Sequence, residues 1–246
     1  MKKVVAINGS PRKRHTQGLL EQISALLAVD GIDVTVINLY DYHISACAGC
    51  EVCMRKTSHC WQKDDSARIM DQMMAADGLI LASPVYVMSI SGLLKTLIDK
   101  TAWWVHRPQL VGKPVLSVAT TAGAGLKQVL DYLETVSIQW GMQLAGRIGR
   151  KISNTNPVNS KELESFQWHL HHPTRQFRPS INQLMNYQVQ KVLAMKVLPN
   201  DKAYWQEKGW DHASYYYPCV ISPINRLIAC MFYTMLSYRV PVVDSP

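Results

Sequence analysis

Four of the six cysteines in this 246-residue chain fall within fourteen residues, as Cys47-Ala-Gly-Cys50-Glu-Val-Cys53 and then Cys60. Two-residue gaps let successive thiolates turn toward one centre, and the longer gap lets a fourth close the shell. That is the ligand set of a 4Fe-4S cubane. Zinc is the second reading, although four-thiolate zinc sites usually pair two Cys-x-x-Cys elements across a long separation. Four reduced thiols in a loop are the third. A disulfide framework is not expected, because the chain is long and has no second matching cysteine cluster. Cys219 and Cys230 stand apart and are expected as buried thiols.

A second concentration of chemistry follows the apolar run Val4–Ile7. The chain reads Asn8-Gly9-Ser10-Pro11-Arg12-Lys13-Arg14-His15-Thr16 and passes into a helical pattern. Gly9 permits a sharp turn. Ser10 and Thr16 bring hydroxyls, Arg12 a charged fork, and the helix start brings free amides for a phosphate. No Gly-Lys-Ser/Thr follows, and the Gly-x-Gly-x-x-Gly turn is missing, so neither a P-loop nor a dinucleotide fingerprint is present. The alternative is an ordinary strand–helix loop with a solvated basic tip. Two further loops matter in the same way. Ala82-Ser83-Pro84-Val85-Tyr86-Val87 offers a stiffened turn and a flat ring, and Thr120-Thr121-Ala122-Gly123-Ala124-Gly125 offers small residues with reachable amides.

These loops must be carried by the elements between them. Val4–Ile7, Val34–Ile37, Gly78–Ala82, Val115–Ala119 and Met142–Ile148 read as buried strands. Residues 16–27, 66–74, 93–98 and 126–133 repeat apolar side chains at helical spacing, with Asp64 and Asp65 as N-terminal caps and Gly141 as a stop. Alternating strands and helices predict an α/β fold, a doubly wound parallel sheet with order 2-1-3-4-5 and helices on both faces. In that order strands one, three and four are neighbours. The phosphate, aromatic and amide loops then share one edge, which fits a planar heterocycle with a phosphate tail, FMN. The cysteine loop follows strand two and is expected on the same edge. Residues 1–152 are read as the flavin domain with a cysteine-rich insert at 47–60. Residues 153–246 are read as a mainly helical extension, with helices near 160–171, 180–196 and 224–238 and a Trp/Tyr-rich stretch capping a hydrophobic surface.

Gly9-Ser10-Pro11-Arg12 with Thr16, and Ala82-Ser83-Pro84-Val85-Tyr86 followed by Ile90-Ser91-Gly92-Leu93-Leu94-Lys95 and Asp99, resemble the NAD(P)H-dependent FMN reductase family of flavodoxin-like fold. With the Cys47–Cys60 segment the chain resembles the iron–sulfur flavoproteins within it. The resemblance implies a cofactor site of Ser10, Arg12, Arg14, His15, Thr16, Pro84, Val85, Tyr86, Val87, Thr120, Thr121, Ala122 and Gly123. It also implies NAD(P)H as co-substrate and a homo-oligomer; a quinone, flavin or protein is expected as electron acceptor, and an electron-transfer protein such as ferredoxin as a partner. Lys13-Arg14-His15, Val87 and Ala122 depart from the residues usual in the family. The flavin carries the chemistry, so no catalytic acid or base is required; His15, His43, His59 and His106 are expected as surface or structural residues without a catalytic role. A non-catalytic electron carrier or redox sensor is the competing account.

Bulk properties narrow the field. The formal charge is +8, and residues 141–200 hold eight Lys/Arg against Glu162 and Glu164. These charges are dispersed and accompany no nucleic-acid motif, so no nucleic-acid partner is expected. The N-terminal apolar run is too short for a secretory signal, and no stretch reaches the roughly 18–20 apolar residues that span a bilayer. A cytoplasmic protein without a transmembrane segment is expected.

Overall fold

The computed structural model describes residues 1–172 and 174–242. Five apolar runs become parallel strands: β1 Lys2–Asn8, β2 Ile32–Asn38, β3 Gly78–Pro84, β4 Pro114–Thr121 and β5 Gln143–Lys151. They pair in the order β2-β1-β3-β4-β5. β3 and β4 are central and buried almost throughout, which is why they lack polar alternation. The register sets Asn8 beside Asn38 and Ala82, and Pro84 beside Thr120, so the carboxyl ends of β1, β3 and β4 finish together.

The described residues form the helices α1 His15–Val29, α2 Ser66–Ala75, α3 Gly92–Lys100, α4 Leu126–Gln139, α5 Glu164–His171, α6 Ile181–Lys196, α7 Pro199–Glu207 and α8 Pro223–Arg239. On one face Leu20, Ile23 and Leu27 of α1 join Phe166 and Leu170 of α5 against Ala6, Ile80 and Leu116. On the other, Ile69, Met73, Leu94, Leu97 and Leu133 pack with Trp104 and Trp140 against Val5, Leu79 and Val115. Each such side chain contributes about 1.5–3 kcal/mol by leaving water. Val158, Leu163 and α5 thus complete the sheet's core although they follow residue 152.

The later helices build a third core around Tyr187, Trp205, Trp210, Tyr215 and Tyr216. The Trp/Tyr-rich stretch therefore does more than cap a surface. Its rings meet edge-on, as Trp205 and Trp210 do at 5.4 Å and 81°. α7 was not expected; its local signal is Pro199 in the first turn, after Leu198. No helix among the described residues is long and apolar enough to cross a membrane.

Two expectations are corrected. Cys230 is exposed, because α8 turns Ala229, not Cys230, toward its support, and Cys219, ahead of that helix, is half-buried. Asp65 gives α2 no side-chain cap. Its carboxylate accepts from the His43 amide at 2.8 Å, while Asp64 accepts from the Ser66 amide at 2.9 Å and pairs with Lys100. Asp65 is spent on the preceding loop, whereas Asp64 is divided between the Ser45 amide of that loop, the first amide of α2 and Lys100.

Candidate functional site

β1 runs into a turn organised by Asn8, whose side-chain oxygen accepts from the Ser10 amide at 3.0 Å. The Asn8 side-chain amide donates to Gln17 and Asn38. Gly9 donates to the Ala82 carbonyl at 2.8 Å. A Cβ there would stand 2.7 Å from Ser91 Oγ and 3.0 Å from Leu94 Cβ, so close approach, not φ, demands glycine. The Ser10 hydroxyl donates to the Arg12 carbonyl at 3.0 Å and accepts from its amide at 3.2 Å. The buried hydroxyls of Thr16 and Thr120 meet at 2.8 Å and tie the start of α1 to the end of β4. α1 has no side-chain cap and no acid in its first turn. Its first amides and positive dipole end are left for an anion.

Val85 donates to the Thr120 carbonyl at 2.7 Å, joining the second loop to the third. Tyr86 and Ser89 exchange backbone bonds, each 2.9 Å, across a turn with Val87 at φ 48° and Met88 at φ 63°. A β-branched residue in that region is strained. The Thr121 hydroxyl donates to the Ala124 carbonyl at 2.7 Å and accepts from the Gly123 amide at 3.2 Å.

These loops enclose a cavity of about 250 Å³. Ser10, Arg12, Arg14, His15 and Thr16 line it from the first loop, Pro84, Val85 and Tyr86 from the second, and Thr120, Thr121 and Ala122 from the third. Val87 and Gly123 do not line it. The Tyr86–Ser89 turn leaves Val87 99% exposed, and Gly123 sits outward on the Thr121 hydroxyl. Ile152 lines the cavity and was not anticipated. Its amide donates to the Thr121 carbonyl at 2.8 Å, a place that follows from β5 lying beside β4. A neighbouring cavity of about 440 Å³ shares Arg14, His15, Thr120 and Ile152 and adds Arg150 and Lys151.

The four clustered cysteines border a separate cavity of about 210 Å³. It has no lining residue in common with the strand-end cavity. The loop lies over the end of α3, where Asp99, Lys100 and, just beyond the helix, Ala102 form a wall. Gly49, Glu51 and Ser58 adopt positive φ and fold the segment back on itself. Among the described residues, no three Cys, His, Asp or Glu side chains already stand as a closed metal shell.

The thiols differ. The backbone amide of Val52 and the Trp61 indole N–H, 3.2 Å from the sulfur, pull the Cys50 thiol below its usual range. Burial, then the neighbouring Cys60 and Cys47, push Cys53 up. Distant residues hold the loop. Arg107 donates to the carbonyls of Cys53 and Met54 and to the Ser58 hydroxyl. Its Nε stands 3.0 Å from Asp201 Oδ1, and His106 Nδ1 3.0 Å from Asp201 Oδ2. Asn200 donates to the Arg55 carbonyl at 2.7 Å. α7 thereby clamps the cysteine loop, a role that no spacing in the sequence announced.

A profile described as NADPH-dependent FMN reductase matches residues 2–155. An iron-sulfur flavoprotein of Archaeoglobus fulgidus is 29% identical over 225 residues, 85% of this chain and 99% of its own. A second iron-sulfur flavoprotein of that organism is 39% identical over 99 residues, 40% of this chain and 48% of its own. A solved structure of RosB with bound 8-demethyl-8-formylriboflavin-5'-phosphate covers 100% of this chain and 90% of its own, at TM-score 0.53 and 14% identity. That last likeness speaks for the fold alone.

Proposed function

The chain belongs to the NADPH-dependent FMN reductase family, and from that premise we propose an oxidoreductase that passes electrons through bound FMN to a quinone, flavin or protein acceptor, with a 4Fe-4S cluster on Cys47, Cys50, Cys53 and Cys60. A flavin-dependent oxidoreductase with FMN and NADPH is what the family assigns; the acceptor, the cluster and the individual residues are our reading. The observation that carries it is the convergence of three strand-end loops on one cavity beside an uncapped helix start.

The residues present fit the flavin. The first amides of α1, with Ser10, Arg12 and Thr16, would hold its phosphate. Pro84, Val85 and Tyr86 would flank the ring on one side, and the Thr120–Ala122 edge on the other. Bound FMN supplies hydride acceptance from the nicotinamide and release of electrons to the acceptor. Nearby backbone amides would stabilise negative charge on the reduced ring. Arg14 and Lys151 would make the adjoining cavity a place for the phosphates of the dinucleotide.

The cysteines fit a cluster by their donor set. Four thiols border one cavity with a buried ammonium in its wall, the surroundings an anionic iron–sulfur centre favours. Such a centre supplies one-electron transfer. Thiols of this kind suit a reducing cytoplasm. We also read the protein as a homo-oligomer, supported by the exposed stripe Ile224, Leu227 and Met231 on α8.

One anaerobic experiment tests the assignment. Purified protein should show flavin and cluster absorption, with about four iron and four sulfide per chain, and NADPH should bleach the flavin. A colourless protein that refuses added FMN ends the reading. The exposure of Cys47 and Cys50 favours a second one, a redox sensor or carrier. Its mark is a flavin that only reduced ferredoxin bleaches, not NADPH.

A further inference from the structure

Lys100 ends α3 in the wall of the cysteine cavity, with its side chain wholly shielded from solvent. Its ammonium stands 2.9 Å from Asp64 Oδ2 and 3.6 Å from Cys60 Sγ, and it donates to Gln62. Taking an ammonium out of water is costly, and an apolar side chain of similar volume would fill the space without that cost. Packing alone does not explain a lysine here.

The arrangement of the pair is directional. Asp64 does not line the cavity. It is held from behind by the Ser66 hydroxyl and by the amides of Ser66 and Ser45, both at 2.9 Å. Lys100 does line the cavity, so the positive end of the pair faces the sulfurs. Glu51 and Asp99 also border the cavity, but each is half exposed and bound to its own cation, Arg55 at 2.6 Å and Lys95 at 2.5 Å. Among these charges Lys100 is the cation that burial leaves least screened.

We propose that Lys100 is the fixed positive charge that sets the reduction potential of the cluster on Cys47, Cys50, Cys53 and Cys60. The proposal rests on reading those cysteines as cluster ligands. In the step concerned, a one-electron donor (reduced ferredoxin, or dithionite in the titration) is oxidised by one electron and the cluster reduced by one; no bond at the cluster forms or breaks, no proton moves there, and the thiolates stay bound. The reduced state is more negative by one charge, so a nearby buried cation stabilises it more than the oxidised state.

The test is a mediated dithionite titration of the full chain, anaerobically reconstituted with iron and sulfide. The reduced cluster is followed by electron paramagnetic resonance and the flavin by absorbance. Lys100→Met should keep its iron and sulfide, while the equilibrium constant for reducing the cluster falls at least tenfold, about 59 mV for one electron. The flavin potential should hold. Lys100→Arg, which keeps the charge, should restore the wild-type cluster potential. If Lys100→Met fails to fold, Lys100→Met with Asp64→Leu removes the pair without stranding a carboxylate, and a smaller fall in the same direction is expected, because the opposing charge of Asp64 goes too. A loaded variant with an unchanged cluster potential overturns the proposal. So does loss of iron in every Lys100 variant including Lys100→Arg, which marks a purely architectural lysine. A wild-type chain that takes up no iron and sulfide sinks the cluster reading itself, a result the iron and sulfide assay tells apart from the other two.

Discussion

The strand-end cavity and the cysteine cavity are assembled in opposite ways. Around the first, partners are mostly near neighbours or lie across adjacent strands: Ser10 with Arg12, Thr121 with Ala124, Gly9 with Ala82. Around the second, the chain borrows from far away: Arg107 for the carbonyls of Cys53 and Met54, Asn200 for that of Arg55, Asp201 to hold Arg107. A sheet edge supplies regular positions, so short loops inherit their geometry from it. A loop without strand pairing has only the supports that other parts of the chain bring to it, and its shape can change while the sheet stays as it is.

That contrast can be broken experimentally. Cys50→Ser has the largest expected effect: iron and sulfide disappear while FMN content stays the same, measured by metal analysis and flavin absorbance on one sample. Joint loss of both cofactors would mean the two regions are not separable. Asp201→Ala comes next. It leaves the Arg107 guanidinium buried without its carboxylate, a loss of about 3–5 kcal/mol. Thermal unfolding should record the fall, and iron per flavin should drop.

Gly9→Ala should act in the reverse sense. Its Cβ presses on Ser91 and Leu94, and overpacking of this kind costs about 1–3 kcal/mol. FMN affinity should weaken about tenfold or more at equal iron content, by flavin titration. Thr16→Val should do the same more gently, about 1 kcal/mol for the lost hydroxyl partner.

Acid separates the regions too. Burial raises the Asp64 carboxyl, but hydrogen bonds from the Ser66 hydroxyl, Lys100 and the amides of Ser45 and Ser66 outweigh it and hold the group at about 2. A carboxylate depressed in the fold contributes stability above its unfolded value of 3.8 and loses it as pH falls toward 2. Between those limits the wild type should lose more melting temperature than Asp64→Asn. Equal losses would show that the carboxylate is not ionised in the folded protein.

How much could be read in advance divides along the same line. Three of the strand-end loops were identifiable because each follows an apolar run whose order in the sheet is constrained by right-handed crossovers. Ile152 escaped, since nothing in its own neighbourhood marks it; only the pairing of β5 with β4 brings it beside Thr121. The cysteine spacing was plain, yet its supports were invisible. Lys100 reads as an ordinary last-turn lysine, and Arg107, Asn200 and Asp201 sit on segments with weak periodicity. α7 itself went unread because its apolar positions do not repeat at helical spacing.

The order of residues alone determined the doubly wound sheet, the loops at its carboxyl edge and the set of four thiols, because these follow from local periodicity, turn chemistry and spacing. Only the tertiary structure decided that the thiols lie over α3 with a shielded ammonium among them, and that α7 holds their loop. Contacts between residues forty to one hundred and forty-five positions apart depend on how helices pack in three dimensions, which no short-range pattern encodes.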